Sequence, residues 1–128
     1  MAKGDDIEER LVDFAVRIIN LSSQLPKNFA GNHISNQILR SGTAPAANYA
    51  EARNSESLRD FIHKLRISLK ELNETRIWLK MIIRSNMQPE SQLTDILQEC
   101  DQLCRILNTS IQTAKSRLQV KNEEPKTQ

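Results

Sequence analysis

The chain has 128 residues, 38% of them hydrophobic and only 4% aromatic, with three glycines and four prolines. That length suits one domain with an aliphatic core, and the scarcity of turn-forming residues argues against a sheet-rich fold. The formal net charge of +2 does not indicate a nucleic-acid binder by itself, and no apolar run is long enough for a signal peptide or a membrane span. We therefore expect a helical, cytoplasmic protein with no membrane contact, in which Cys100 and Cys104 stay reduced.

In each of the first two segments, residues spaced alternately four and three positions apart fall on one face of a helix. In the first segment every one of these residues is apolar, and Pro26 ends the pattern. A loop over residues 26–32 follows, and the second segment begins apolar and then becomes small and polar. The two series are Ile7, Leu11, Phe14, Ile18, Leu21 and Leu25, then Ile34, Ile38, Ser41, Pro45, Asn48 and Ala52.

Two further segments continue the same pattern after Asn54 and Ser55, which favour a turn and a helix cap. Residues 85–89 separate them, and Pro89 suits the first turn of the helix that follows. The third series is Leu58, Ile62, Leu65, Leu69, Leu72, Arg76, Leu79 and Ile83; the fourth is Leu93, Leu97, Cys100, Cys104, Leu107, Ile111, Ala114 and Leu118.

Four amphipathic helices joined by short loops predict an all-α, antiparallel up-and-down four-helix bundle. A single extended coiled coil is the alternative, but the proline-containing loops at 26–32 and 85–89 divide the chain into helices of bundle length. We expect the bundle domain to cover residues 1–118. The polar, unpatterned residues 119–128 predict a disordered C-terminal tail.

The stretch RSGTAPAANYAEA, residues 40–52, is rich in alanine but contains Gly42 and Pro45, the residue types least favourable inside a helix. One interpretation ends a short helix at Gly42 and starts another with Thr43 as its cap, so that Pro45 lies in the new first turn. The other keeps a single helix that is kinked near Ser41. The residues alone leave both open.

No motif indicates catalysis or a cofactor. Cys100 and Cys104 are four residues apart, but zinc needs four ligands, and both lie at core positions where a thiol packs as a small hydrophobe. His63 has no accompanying nucleophile, and three scattered glycines do not form a phosphate loop. We predict that the protein is not an enzyme and has no catalytic residue, metal site or cofactor.

One outer wedge of the third helix is basic and contains no acidic residue. The absence of interspersed glutamates favours binding of RNA, DNA or another polyanion, although a merely solubilising surface is the alternative. If the basic wedge only solubilises the protein, the protein would be a protein-interaction scaffold with no nucleic-acid role. The predicted contact residues are Arg59, Arg66, Lys70, Lys80 and Arg84, with His63, Asn73 and Ile77 in the same wedge.

A second apolar side of the third helix contains Ile67, Trp78 and Met81, outside the face that closes the bundle. A helix that is apolar on two sides usually has two partners, and tryptophan is enriched at interface hot spots. We predict that these three residues form a subunit interface. The alternative is that Trp78 covers the edge of its own bundle.

The segments QILRSGTAPAANYAEA and DFIHKLRISLKELNETRIWLKMI resemble the four-helix-bundle proteins encoded in intervening sequences of bacterial 23S rRNA genes. The shared features are the Arg-Ser-Gly-Thr run, then Asn48 and Glu51, then FIHK, and NET followed by WL. The resemblance implies a homopentameric ring of bundles with no known catalytic activity. It also implies a distant similarity to the accessory protein of diversity-generating retroelements, which binds nucleic acid and a reverse transcriptase.

The resemblance favours the continuous, kinked helix through Gly42 and Pro45, with short side chains that let neighbouring helices approach. Its polar motif positions match Asn48, Glu51, Glu71, Glu74 and Thr75, for which we predict a structural hydrogen-bonded network. A di-metal site is disfavoured because neither Glu71 nor Glu74 has a histidine three residues later. Arg76, on the buried face, needs a carboxylate such as Glu51.

Overall fold

The computed structural model describes residues 4–123, which form four helices and no strand. The helices are α1 (Asp5–Gln24), α2 (Phe29–Arg53), α3 (Leu58–Arg84) and α4 (Glu90–Glu123). α2 packs closely on both α1 and α3, α3 packs on α4, and α1 contacts α4 only lightly. This arrangement confirms the predicted four-helix bundle. None of the four helices has the length and apolar composition that a membrane crossing requires.

The starts of α2 and α3 are determined by side-chain caps. Asn28 accepts a hydrogen bond from the amide of Gly31 at 2.8 Å, and Ser57 accepts one from the amide of Asp60 at 3.0 Å. α2 therefore begins at Phe29, inside the region predicted as a loop over residues 26–32. Gly31 belongs to the first turn of α2 and not to a loop. Glycine is needed at this position because a Cβ there would lie 1.9 Å from the carbonyl oxygen of Pro26.

α2 is continuous through Gly42 and Pro45, as the family resemblance predicted. Both residues are buried. A Cβ on Gly42 would lie 2.6 Å from Cγ2 of Ile18, so glycine is the residue that allows α1 to approach this closely. The carbonyl oxygen of Pro45 accepts a hydrogen bond from the Ser68 hydroxyl at 2.7 Å, which ties α2 to α3 beside the proline.

The buried face of α1 is the predicted one, but those of α3 and α4 differ in part from the prediction. In α3, Ser68, Thr75 and Ile82 are buried, whereas the expected residues Leu69, Arg76 and Ile83 are only half-buried. α4 likewise buries Ile96 and Leu103 in preference to Leu97 and Cys104. The prediction was right for Ile62, Leu65, Leu72 and Leu79 of α3 and for most of the α4 series, and wrong at the alternating positions between them. In α3 the reason is that the helix packs on α2 and on α4 together and so buries a wider sector than a single apolar face.

α4 continues through Glu123, beyond the predicted end of the bundle at residue 118. The residues after Leu118 include glutamine, lysine and glutamate, which are good helix formers, and the next proline in the sequence is Pro125. Residues 119–123 are therefore helical and not a disordered tail. Residues 124–128 of that predicted tail lie outside the described part of the chain.

Candidate nucleic-acid interface and the network behind it

The outer side of α3 carries the predicted cations. Because Ile62, Leu65, Leu72 and Leu79 point into the core, the opposite side of this helix faces solvent. Four of the five predicted contact residues are exposed, and Lys80 is half-buried. We call this surface the basic face: Arg59, Arg66, Lys70, Lys80 and Arg84.

The charges of the basic face are not neutralised within the protomer. None of its five cations forms a hydrogen bond or ion pair with another residue in the described range 4–123. Two acidic residues of α3, Glu71 and Glu74, lie on the side facing α2, and both bind the guanidinium of Arg40. The five cations of the basic face, which face solvent, are thus separated from these two carboxylates, which bind to α2.

Hydroxyl groups bridge α2 and α3 directly behind the basic face. Thr75 donates a hydrogen bond to the carbonyl oxygen of Glu71 at 2.8 Å, and the hydroxyls of Thr75 and Ser41 share another at 2.9 Å. Ser41, Ser68 and Thr75 are all fully buried, at 0% exposure. Since buried hydroxyls are costly unless they are paired, these bonds fix α2 and α3 at one register.

The structure places the other predicted network residues at the rim. Glu51 pairs with Lys64 at 3.0 Å and not with Arg76, whose nearest carboxylate is Asp101 of α4 at 3.9 Å. Arg76 is partly exposed, so it is not the buried charge that the sequence analysis expected. Asn48 is half-buried on α2.

Sequence reasoning missed two members of this region. Arg40 holds both Glu71 and Glu74, and Ser68 bonds to Pro45. A signal for Ser68 was present: it lies seven residues before Thr75, so the two hydroxyls share a helical face.

The predicted interface residues have different surroundings. Trp78 is half-buried against its own bundle, where its ring meets His33 edge to face with centroids 6.1 Å apart and its Nε1 donates to Glu74 at 3.3 Å. Ile67 is half-buried, whereas Met81 is 44% exposed. Met81, Ile77 and Ile34 border a shallow hollow of about 480 Å³, together with Lys80 and Arg84 of the basic face.

A second exposed apolar stripe, which sequence reasoning missed, lies on α1. Val12, Val16 and Ile19 are each more than 40% exposed, and Leu39 of α2 is also exposed. The three α1 residues follow one another at steps of four and three, the same spacing that identified the buried face. Apolar side chains are therefore exposed on α1 as well as on α3.

The described residues 4–123 contain no cluster of three or more histidine, cysteine, aspartate or glutamate side chains that could hold a metal. Cys100 is buried and its thiol donates to the carbonyl oxygen of Leu72 at 3.3 Å. The hydrogen bond with Cys104 and burial together raise the pKa of Cys100. A buried thiol with a raised pKa is a poor nucleophile and a poor metal ligand.

Comparison with known proteins identifies the family of this bundle. The family model of the 23S rRNA-intervening sequence protein matches residues 6–109. The chain belongs to this family. A solved structure, described as a protein with unknown function from the S23 ribosomal protein family of Bacteroides thetaiotaomicron, is 40% identical and superposes with a TM-score of 0.77. The match covers 82% of this chain and 97% of that one.

A comparison with curated proteins found no match. The region shared with the family includes α1, α2, α3 and α4 as far as residue 109, and therefore the whole basic face and the hydroxyl network behind it. The resemblance inferred from the sequence motifs is thus confirmed. Membership of this family indicates the fold and does not by itself assign an activity.

Proposed function

We propose that the protein is a non-enzymatic bundle that binds RNA or DNA through the basic face of α3. The observation that supports this proposal is a row of five cations, Arg59 to Arg84, with no partner among the described residues. At 1.5 Å per residue the row is about 37 Å long, close to one turn of duplex DNA. A row of this length is suited to several phosphates in succession.

Phosphate binding makes a quantitative prediction about salt. If all five cations contact phosphates, the logarithm of the association constant should fall with the logarithm of salt concentration with a slope of about −4.5 for duplex DNA. A surface that only solubilises the protein shows no binding and hence no slope. Fluorescence anisotropy with a hairpin RNA and a duplex DNA, each longer than the row, measures this directly.

The sharpest test uses two triple variants with the same charge. In the first, Arg66, Lys70 and Arg84 become glutamine; in the second, Arg17, Arg105 and Lys115 do, which are exposed cations without ion pairs in the described structure. Each variant lowers the formal net charge from +2 to −1, since 2 − 3 = −1. We expect the first to weaken binding by at least about tenfold and to reduce the slope, and the second to do neither.

Equal weakening in both variants would mean that binding follows net charge alone. The basic face would then not be a specific binding site. Absence of binding by the unmodified protein at low salt would favour the alternative function, a protein-interaction scaffold. That alternative is supported by Ile77 and Met81, each 44% exposed beside the basic residues.

We also propose that the protein assembles into a homo-oligomer, for which the family resemblance suggests five subunits. The predicted interface of Ile67, Trp78 and Met81 competes with the α1 stripe of Val12, Val16 and Ile19. Light scattering of Met81→Gln and of Val16→Gln compares the two surfaces with matched changes at exposed apolar positions. Loss of mass only in Val16→Gln would place the interface on α1, and a protomer mass of 14.7 kDa for the unmodified protein would remove the proposal.

A further inference from the structure

A cavity lies at the end of the bundle where α1 begins and α2 ends. Its volume is about 540 Å³. Its apolar lining comes from Ile7, Leu58, Phe61 and Ala114, which belong to three different helices. It does not include any residue of the basic face.

The cavity lies between α1, α3 and α4, where α1 and α4 pack only lightly on each other. The Arg10–Glu99 ion pair that joins α1 to α4, at 2.6 Å, lies in the first third of α4, away from the cavity residues Thr109 to Arg117. On α4 the cavity is lined by short side chains, Ser110 and Thr113 among them. Short hydroxyl side chains leave room that a leucine at the same place would fill.

The two arginines at the cavity differ in their partners. Arg53 is bound by Asp5 at 2.7 Å and by Glu8 at 3.3 Å, so its charge is already balanced by α1. Arg117 is exposed and has no ion pair or hydrogen bond with another described residue. Lys121, one turn further along α4, borders a smaller hollow with Arg117. The positive charge that no carboxylate of the described residues balances therefore lies on the α4 side of the cavity.

We propose that this cavity binds a small amphipathic organic anion. The apolar body of the ligand lies against Leu58, Phe61 and Ile7, and its carboxylate, sulfonate or phosphate group is bound by the Arg117 guanidinium with Thr113 as a hydroxyl donor. The volume falls within the range of about 300 to 1,000 Å³ that is typical of small-molecule sites, and an apolar pocket with a few polar groups is their usual composition. This site is separate from the proposed nucleic-acid surface.

Two fluorescent probes of similar shape test the proposal. Anilinonaphthalene sulfonate has an apolar body with one anionic group, and N-phenylnaphthylamine has nearly the same body without charge. We expect the anionic probe to bind once per protomer, and Arg117→Gln to weaken it by about tenfold, as expected for loss of one charge-assisted contact. The same variant should leave the affinity for the uncharged probe within about twofold.

A filling variant and two controls complete the design. Ser110→Phe places a ring in the cavity and should abolish binding of both probes, with circular dichroism showing that the helices remain. Arg105→Gln removes an exposed charge from the same helix, and Met81→Gln changes the other apolar hollow; neither should alter binding.

The proposal is overturned if the anionic probe does not bind saturably, or if Arg117→Gln weakens both probes equally. It is also overturned if Met81→Gln removes the signal, because the probe then occupies the hollow beside Ile77. The nucleic-acid proposal is unaffected by any of these results, since it depends on Arg66, Lys70 and Arg84, none of which lines the cavity.

Discussion

Replacing Gly42 with alanine tests why α2 keeps a glycine inside a buried helix. The added Cβ would lie 2.6 Å from Cγ2 and 2.8 Å from Cγ1 of Ile18, whereas carbon atoms in contact are normally about 3.5 to 4.0 Å apart. Ile18 is 0% exposed, and its Cβ would also lie only 3.0 Å from the added atom. Overpacking of this kind costs about 2 kcal/mol, and alanine returns about 1 kcal/mol through its higher helix propensity. We expect Gly42→Ala to be destabilising by about 1 kcal/mol.

The informative quantity is how this change depends on Ile18. In an Ile18→Ala background the two Cγ contacts are gone and only the contact with Cβ, at 3.0 Å, remains. Gly42→Ala should then lose most of its cost and become neutral, or stabilising by up to about 1 kcal/mol. Urea unfolding followed by circular dichroism, at one protomer concentration, measures both backgrounds. Ala47→Gly, on the exposed side of α2, is the control for propensity alone and should cost about 1 kcal/mol. If Gly42→Ala had the same effect in both backgrounds, the close approach of α1 would not be the reason for the glycine.

Three further predictions concern the network, the interface and the single tyrosine. Thr75→Val leaves the buried Ser41 hydroxyl without its side-chain partner and should cost about 1 to 3 kcal/mol in urea unfolding, and adding Ser41→Ala should recover part of that loss. Trp78→Ala should reduce the assembled mass in light scattering while the helical circular dichroism persists; full assembly with a much lower melting temperature would assign Trp78 to its own bundle. Burial raises the pKa of Tyr49, so ultraviolet titration should show it ionising above pH 10. Because the folded-state pKa is the higher one, the unfolded state loses its proton first, and the free energy of unfolding should fall as pH rises from about 10 through the folded-state pKa.

Much of the candidate site was accessible from sequence because it depends on a single helix. The cations of the basic face share one side of α3 through the 3.6-residue repeat, which holds whatever the helix packs against. The pairing of the acidic residues was not accessible in this way. Glu51 meets Lys64, and Arg40 meets Glu71 and Glu74, because α2 and α3 are neighbours at a particular register.

Local patterns in the sequence were sufficient to predict the number of helices, the buried face of α1 and the helix breaks near Pro26 and Pro89. Periodicity, proline and caps act within a few residues, so they are readable along the chain. The tertiary structure decided that Ser68 and Thr75 are buried in place of Leu69 and Arg76. Neighbouring residues on a helix point about 100° apart, and only the positions of α2 and α4 determine which of the two lies in the enclosed sector of α3. The same packing, with α1 lying apart from α4, decided that a cavity opens beside Arg117.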